Sequence, residues 1–199
     1  MNYTDEDLKN HELKFWINSY EPPFIHLDFY REFFNFSELS KKKTIDIGCG
    51  GAPISDYCDV HDINLTIVDP LISDLVKNPK FSHLSKYKFY SNSLFDLNES
   101  GYEYLVCLNV IDHFNDESYS FIDKFHSFLK DDGIMWLYYD VRDKNDGNHL
   151  RIDNLRLIEK MKSKFEILKM DNTINPKHSG WSSVNKSIRI IAKKNGKNN

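Results

Sequence analysis

Two apolar segments of the chain carry an aspartate where they end, and closely spaced glycines follow the first. Asp46 belongs to the first segment, Gly48 and Gly50 follow it, and Asp69 closes the second segment. Glycine has no Cβ, so the backbone can approach a ligand that a larger residue would hold away. An acid roughly twenty residues after a glycine turn is placed to bind the two hydroxyls of a ribose. The pattern predicts a pocket for a cofactor that contains adenosine.

The same glycine spacing occurs in the dinucleotide-binding fingerprint G-x-G-x-x-G, which is the alternative interpretation. Here Pro53 occupies the third glycine position. Asp46 also precedes the first glycine by two residues, and its negative charge would repel a pyrophosphate. A carboxylate at that position suits a cofactor that carries an ammonium group.

The elements that would position these residues alternate between strand and helix. Strands in this order indicate a mostly parallel sheet covered on both faces, and the last two strands, joined by a long loop, indicate an antiparallel edge hairpin. A helix is expected between the first two strands. Later helices are expected from Asp116 to a stop at Gly133 and from about Leu150 to Lys164. The predicted strands are Lys43–Ile47, Leu65–Val68, Tyr87–Tyr90, Tyr102–Leu108, Ile134–Asp140, Phe165–Met170 and Lys186–Ala192.

An N-terminal segment rich in aromatic residues precedes the first strand. A helix capped by Thr4 should end near Tyr20, and aromatic residues continue to Phe36. We therefore expect one α/β domain over residues 1–199. Its parts are a helical N-terminal extension over 1–42, a core over 43–193 and a frayed tail over 194–199.

Composition narrows the possible partners and the setting. The chain has 199 residues, a net charge of −4 and 14% aromatic residues, which indicates a folded globule without a basic stripe for nucleic acid. The N-terminus does not resemble a signal peptide, and no apolar run approaches membrane-spanning length. The cysteines at positions 49, 58 and 107 show no metal-ligand spacing. We expect a cytoplasmic protein with no metal and no membrane partner, with nucleic acid disfavoured and the oligomeric state open.

Two segments resemble class I methyltransferases, which use S-adenosylmethionine (SAM). Thr44–Gly51 is similar to their first motif, and in Glu103–Phe114 a histidine follows the fourth strand, as it does beside their methyl donor. Matching positions extend from Thr44 to Asp140. The resemblance implies a Rossmann-like, doubly wound sheet of seven strands, with SAM as cofactor and S-adenosylhomocysteine (SAH) as product. A weaker likeness is to small methyltransferases found with polysaccharide and natural-product genes.

The resemblance also implies a set of cofactor-binding residues at the carboxyl ends of the strands. Asp46 would hold the amino-acid part of SAM, Asp69 the ribose and Asn92 the exocyclic amine of adenine. The complete set is Asp46, Gly48, Gly50, Asp69, Pro70, Asn92, Ser93, Leu94 and Asn109.

The candidates on the acceptor side follow from the chemistry. A sulfonium methyl is already activated, so the enzyme mainly has to align an acceptor with it and exclude water. An alcohol acceptor gains from a general base, and His113 is the candidate because its segment leaves the sheet at the sulfur end of the cofactor. Asp140, at the end of the fifth strand, is expected to orient such a base or to bind substrate. The candidate substrate-binding residues are Trp16, Tyr20, His149 and His178, the first two in an N-terminal segment expected to form a lid.

The main hypothesis is a SAM-dependent methyltransferase that methylates a hydroxyl of a small molecule, such as a sugar or another metabolite. Asn109–Asp112 stands where enzymes that methylate amino groups of nucleic acids carry an Asn/Asp-Pro-Pro-Tyr/Phe signature, and the lack of it favours O-methylation. A second hypothesis is a SAM-binding partner or regulatory subunit without activity, because the sequence contains no unmistakable catalytic base. A nicotinamide oxidoreductase is the third, and Asp46 and Pro53 disfavour it.

Overall fold

A computed structural model of the chain describes residues 5–19, 27–57, 60, 62–114, 116–145, 149–173 and 184–196. Within these ranges the strands are β1 Lys43–Ile47, β2 Asn64–Val68, β3 Lys88–Tyr90, β4 Tyr102–Leu108, β5 Leu129–Arg142, β6 Phe165–Thr173 and β7 Val184–Lys194. These seven strands form one sheet in the order β3-β2-β1-β4-β5-β7-β6. β1 to β5 run parallel to one another, and β7 is antiparallel to both β5 and β6. The predicted sheet with its C-terminal hairpin is therefore confirmed.

The helices of the described residues are short apart from the first. The α-helices are α1 Asp5–Ser19, α2 Leu27–Arg31, α3 Ile72–Leu75, α4 Phe121–Phe128 and α5 Asn154–Lys162. The 3-10 turns are Phe36–Leu39, Ile54–Asp56, Pro79–Lys86, Leu94–Asp96 and Ile111–His113. None of these helices is both long and apolar enough to cross a membrane.

The strand order reverses between β1 and β4, which lie side by side at the centre of the sheet. Asp46 of β1 is in register with Val106 of β4. Ligands of open α/β sheets bind outside the carboxyl ends of the strands where the order reverses. The glycine loop after β1 and the turn after β4 therefore meet at the position where this architecture forms a crevice.

Both faces of the sheet are covered, so most residues of the central strands β1 and β4 are buried. β1 is buried at every residue after Lys43. On one face α4 contributes Phe121, Phe125 and Phe128. On the other face the aromatic residues that follow α2 pack on the sheet, and the ring of Phe34 stacks on Trp136 with centroids 5.2 Å apart. The N-terminal aromatic segment is thus part of the core.

The predicted helix between β1 and β2 is wrong. The described residues of that connection contain only the 3-10 turn Ile54–Asp56. Asp46 holds this turn, because its Oδ2 accepts a hydrogen bond from the Ile54 N–H over 2.6 Å. The connection is fastened by a buried carboxylate at the end of β1, a contact between residues that are not neighbours in sequence.

The helix predicted to begin at Asp116 is shorter at both ends. The Asp116 carboxylate accepts hydrogen bonds from the Ser120 hydroxyl and from the Phe121 N–H, so the chain turns before α4 starts at Phe121. α4 ends at Phe128 and β5 follows at once, which places Gly133 inside the strand and not at a helix stop.

The bounds of two other predicted helices also change. α5 begins at Asn154, later than expected, because the Asp153 carboxylate accepts a hydrogen bond from the Arg156 N–H over 3.2 Å and caps it there. α1 ends at Ser19. The predicted cap Thr4 and the predicted end Tyr20 lie outside the described residues.

Arg189 of β7 fastens α2 to the edge of the sheet. Its guanidinium lies 4.2 Å from the centroid of the Phe29 ring, donates to the Phe29 carbonyl and donates from Nε to Asp171 over 3.0 Å. We expect Arg189→Ala to lower the free energy of unfolding by about 2 kcal/mol, because both acceptors lose their cation. Urea unfolding measures this loss. Arg156→Ala, at an exposed position of α5, is the control, and an equally small effect for both variants would contradict the expectation.

Candidate active site

The loop after β1 holds two glycines in the left-handed region. The φ angles are 73° at Gly48 and 54° at Gly50. A Cβ on Gly48 would lie 2.2 Å from the side chain of Val110, and one on Gly50 would lie 2.2 Å from the indole of Trp16. Both positions therefore require glycine, for backbone conformation and for space. The sequence predicted that a ligand would approach these glycines closely. In the structure the side chains of Val110 and Trp16 occupy that space.

Asp69 is buried beneath this loop and is 4% exposed. Its Oδ2 accepts a hydrogen bond from the Gly50 N–H over 2.7 Å, and its Oδ1 accepts one from the Leu71 N–H over 2.8 Å. Burial raises the pKa of Asp69, and these two hydrogen bonds oppose that rise. The carboxylate thus shapes the glycine loop, and its predicted role as a ribose ligand stays a prediction.

Asp46 is the second buried acid at the crevice. Besides its hydrogen bond to Ile54, it lines a pocket together with Gly48 and Asn109. Burial raises its pKa to about 7; the Ile54 hydrogen bond opposes the rise, and the charge of Asp69 adds to it. An acid with such a pKa changes charge near neutral pH, and a cationic ligand would favour its ionised form.

Asn109 ends β4 on the other side of the crevice. Its backbone is in the left-handed region at φ 60°, held by a hydrogen bond of 2.8 Å from its N–H to the Tyr138 carbonyl. Its side-chain Oδ1 is buried and has no hydrogen-bond partner among the described residues. A buried acceptor without a donor is unfavourable, so this atom is suited to a donor group of a ligand.

The pocket between these residues has a volume of about 60 Å³. Small-molecule sites enclose roughly 300 Å³ or more. Trp16 of α1 forms part of the pocket wall and lies against Gly50. Glu12, one turn earlier on α1, interacts electrostatically with both Asp69 and His113. α1 therefore covers the crevice. The lining residues are Trp16, Tyr30, Asp46, Gly48, Cys49, Ala52, Ile54, Tyr57, Leu108 and Asn109.

The remaining predicted cofactor residues follow β2 and β3 and are not part of this pocket wall. Pro70 and Asn92 are exposed, and Leu94 is buried in the core. Ser93 accepts a hydrogen bond from the Phe95 N–H over 3.3 Å and caps the 3-10 turn that follows. Their contact with adenine stays a prediction.

Four side chains converge next to Asn109, at the turn after β4. Asp112, which is 1% exposed, accepts a hydrogen bond at Oδ2 from His149 Nδ1 over 2.8 Å, and Arg142 Nε lies 3.4 Å from the same oxygen. His113 Nε2 lies 4.0 Å from Asp112 Oδ1, and the rings of His113 and His149 are 4.4 Å apart. The structure thus brings the predicted residues His113 and His149 together on a carboxylate.

The charges of this cluster affect one another strongly. Burial raises the pKa of Asp112, but the His149 hydrogen bond and the positive charges of His113, His149 and Arg142 outweigh it and lower the pKa to about 2. Burial lowers the pKa of His113; Asp112 raises it and His149 lowers it. Asp112 is therefore a stable carboxylate that organises its neighbours.

Sequence reasoning assigned no role to Asp112 itself. Its only signal was its place before His113 at the end of a matching segment, and the His149 that it binds lies far along the chain. The two partners are held close by the backbone as well, because the Leu150 N–H donates to the Asp112 carbonyl over 2.7 Å.

Asp112, His113 and His149 also have the donor atoms of a transition-metal site, and these atoms lie within 4.8 Å of one another. Arg142 contacts the same carboxylate and is a permanent cation. Its charge opposes a divalent ion at this position.

The other predicted residues lie apart from this cluster or outside the described residues. Asp140 is fully buried and accepts hydrogen bonds from the Tyr138 hydroxyl over 2.8 Å and from the Ser187 hydroxyl over 2.6 Å, which links β5 to β7. Its proposed catalytic role stays a prediction. Tyr20 and His178 lie outside the described residues.

A glycine loop and a polar turn at the strand-order reversal of a seven-stranded sheet define a Rossmann-like methyltransferase fold. The chain belongs to the methyltransferase domain family, whose model matches residues 24–173. In a curated relative, the ubiquinone biosynthesis O-methyltransferase of Rickettsia prowazekii, 82 residues align at 28% identity. That alignment spans 40% of this chain and 32% of the relative, so only about a third of the relative's length is matched.

Two solved structures share nearly the whole fold. A 1,6-didemethyltoxoflavin N1-methyltransferase from Burkholderia thailandensis, with 1,6-didemethyltoxoflavin and SAH bound, has a TM-score of 0.69 at 14% identity over 98% of this chain and 92% of that chain. The N-methyltransferase NodS from Bradyrhizobium japonicum, in complex with SAH, has a TM-score of 0.67 at 13% identity over 95% of this chain and 97% of that chain. At these identities the likeness establishes the fold alone.

Proposed function

We propose that this chain transfers the methyl group of SAM to a hydroxyl of a small molecule. The observation that carries the proposal is the pair of acceptors in the pocket wall, the Asp46 carboxylate and the buried Asn109 amide oxygen. The ammonium group of a methionyl cofactor would satisfy both, and an ionised acceptor strengthens such a hydrogen bond. A pyrophosphate at the same position would meet the negative charge of Asp46.

When bound, SAM supplies an activated methyl group on a positively charged sulfur. We assign the ammonium to Asp46 and Asn109. We assign the ribose hydroxyls to Asp69, since a carboxylate oxygen that already accepts one hydrogen bond still has a second lone pair. Gly48 and Gly50 would leave room for the cofactor once α1 has moved. The adenine is assigned to the residues after β2 and β3, namely Pro70, Asn92, Ser93 and Leu94.

On the acceptor side the chain's own residues would exclude water and orient the hydroxyl. Trp16 already covers the glycine loop, which supports a lid formed by α1, within an N-terminal extension of residues 1–42 that precedes a core of residues 43–193. His113 and His149 belong to the turn and loop beside Asn109, where a proton acceptor is needed. Tyr20 and His178 remain proposed substrate contacts, and Asp140 remains a proposed positioning residue.

A small oxygen acceptor is favoured by two observations. The curated relative, which matches this chain over 40% of its length, is an O-methyltransferase of ubiquinone biosynthesis. The turn after β4 reads Asn109-Val110-Ile111-Asp112, without the Pro-Pro of enzymes that methylate amino groups of nucleic acids. A cytoplasmic location belongs to the same proposal.

The proposal is tested by turnover. The purified chain is incubated with SAM that carries a deuterated methyl group and with catechol, 4-nitrocatechol, methyl glucoside or aniline, and the products are identified by mass spectrometry. We expect labelled methyl ethers from at least one hydroxyl compound and SAH in equal amount. SAH binding without transfer to any acceptor would favour the inactive SAM-binding protein, and transfer to aniline alone would contradict the oxygen acceptor.

A further inference from the structure

We propose that His149, and not His113, takes the proton of the acceptor hydroxyl, and that Asp112 positions it for this step. The inference rests on the proposed methyl transfer and names the base that this site would use. It also gives a function to Asp112 and Arg142, which no sequence motif assigned.

The hydrogen bond between Asp112 and His149 fixes which ring nitrogen of His149 carries the proton. An ionised carboxylate only accepts hydrogen bonds, so Nδ1 must be the donor over the 2.8 Å that separate it from Asp112 Oδ2. In the neutral ring the lone pair is then on Nε2, on the side away from the carboxylate. A buried carboxylate that holds a histidine in one tautomer and stabilises its protonated form is the arrangement of a general base.

The His149 side chain is accessible to solvent, whereas the Asp112 carboxylate that it binds is not. The His149 side chain is 23% exposed and that of Asp112 only 1%. Asp112 is fixed in turn by Arg142, which is itself 1% exposed at the side chain and approaches the same oxygen to 3.4 Å. The permanent charge of Arg142 keeps Asp112 ionised when His149 becomes protonated, so the proton stays on the imidazole.

His113 is the poorer base for a geometric reason. Its Nε2 lies 4.0 Å from Asp112 Oδ1, beyond hydrogen-bond distance, so this carboxylate does not fix its tautomer. Its ring contacts that of His149 with centroids 4.4 Å apart. Two imidazoles so close do not both accept a proton readily, because the second charge would be repelled by the first. The His113 ring packs against His149 and helps to hold it in place.

The charged groups in and beside this cluster come from three elements. Asp112 and His113 belong to the turn after β4, Arg142 ends β5, and Glu12 of α1 interacts with His113.

In the proposed step the acceptor oxygen forms the new bond to the methyl carbon. The bond between that carbon and sulfur breaks with its electron pair on sulfur, and the acceptor's proton moves to His149 Nε2 and later to solvent.

Two measurements test the inference, one with and one without turnover. Long-range ¹H–¹⁵N spectra of the histidine rings report the tautomer of His149 in the whole chain. We expect the form protonated at Nδ1 in the wild type and its loss in Asp112→Asn. A wild-type His149 protonated at Nε2 alone would overturn the inference whatever the activity.

The kinetic measurement compares catechol with the more acidic 4-nitrocatechol as probe acceptors. His149→Gln is expected to lower kcat for catechol about 100-fold, with little change in the KM for SAM, and to lower it much less for 4-nitrocatechol, because that hydroxyl ionises without help. Asp112→Asn should lower kcat about tenfold and shift the acid limb of the pH profile. His113→Gln should lower it less than His149→Gln, and His126→Gln on α4 is the control.

Several outcomes would contradict the assignment of His149 as the base. An equal loss for both probes would indicate a structural defect, and a larger loss for His113→Gln would identify the other histidine. Loss of activity with EDTA and recovery with Mn²⁺ would assign the cluster to a metal instead. If the wild type binds SAH but methylates neither probe, the ring spectra alone decide; if it does not bind SAH, the proposed function fails first.

Discussion

Replacement of Trp16 by alanine is expected to raise the rate constant for SAH association by about tenfold. The indole forms part of the wall of a pocket of only about 60 Å³ and lies against the backbone of Gly50. A cofactor site needs several times this volume, so α1 has to move before SAH enters. When the competent state is a minor one, observed binding is weakened by its small population, and removing the ring that closes the site increases that population.

Surface plasmon resonance with the immobilised chain separates association from dissociation. Dissociation should also become faster in Trp16→Ala, because the indole no longer covers the bound ligand, so the affinity changes less than either rate constant. Phe15→Ala is the matched control, since Phe15 is the neighbouring aromatic residue of α1 and is 46% exposed. An unchanged association rate in Trp16→Ala would contradict a lid formed by α1.

Replacement of Asp46 by asparagine is expected to stabilise the chain at pH 8 and to weaken SAH binding. Burial raises the pKa of Asp46 from 3.8 to about 7, so the folded state holds its proton more tightly than the unfolded state. The stability of the wild type therefore falls as the pH rises between these two values. Asparagine keeps an acceptor for the Ile54 N–H and removes the charge, which should be worth about 4 kcal/mol at pH 8 and less than about 1 kcal/mol near pH 4.

The same charge should favour the cofactor. SAH affinity is expected to increase as the pH rises through about 7 in the wild type, because the ionised Asp46 pairs with the ammonium group. In Asp46→Asn this dependence should disappear, and affinity at pH 8 should be about 30-fold lower. Urea unfolding and calorimetry at pH 5 and pH 8 measure both effects, with the exposed Asp132→Asn as the control. An Asp46→Asn variant that is less stable than the wild type at pH 8, or that binds SAH equally well there, would contradict the role assigned to the Asp46 charge.

The sheet was predictable because its signals are local. β2 and β4 are short segments rich in apolar residues, and Gly48 and Gly50, both with positive φ, follow β1 directly in sequence. The C-terminal hairpin was predictable from the order of its two strands. Even the bounds of β1 and β4 agree with the prediction.

The features that the sequence did not predict depend on contacts between residues that are distant in sequence. Nothing near Ile54 indicates that Asp46 will hold the 3-10 turn there. Asp112 could be noticed only as the neighbour of His113, because its partners Arg142 and His149 come from elements later in the chain. Likewise the contact of Trp16 with Gly50 depends on how α1 lies over the sheet.

The most direct test of a SAM pocket at the glycine loop is a calorimetric titration of the whole chain with SAH. Gly48→Ala and Gly101→Ala make a matched pair, since φ is 73° at Gly48 and 77° at Gly101, but only at Gly48 would the added Cβ collide with a side chain beside the pocket. We predict micromolar binding, on the order of −8 kcal/mol, to the wild type and to Gly101→Ala, and none to Gly48→Ala. No binding to the wild type or to Trp16→Ala, or equal binding to both glycine variants, would contradict the assignment of the cofactor to this loop.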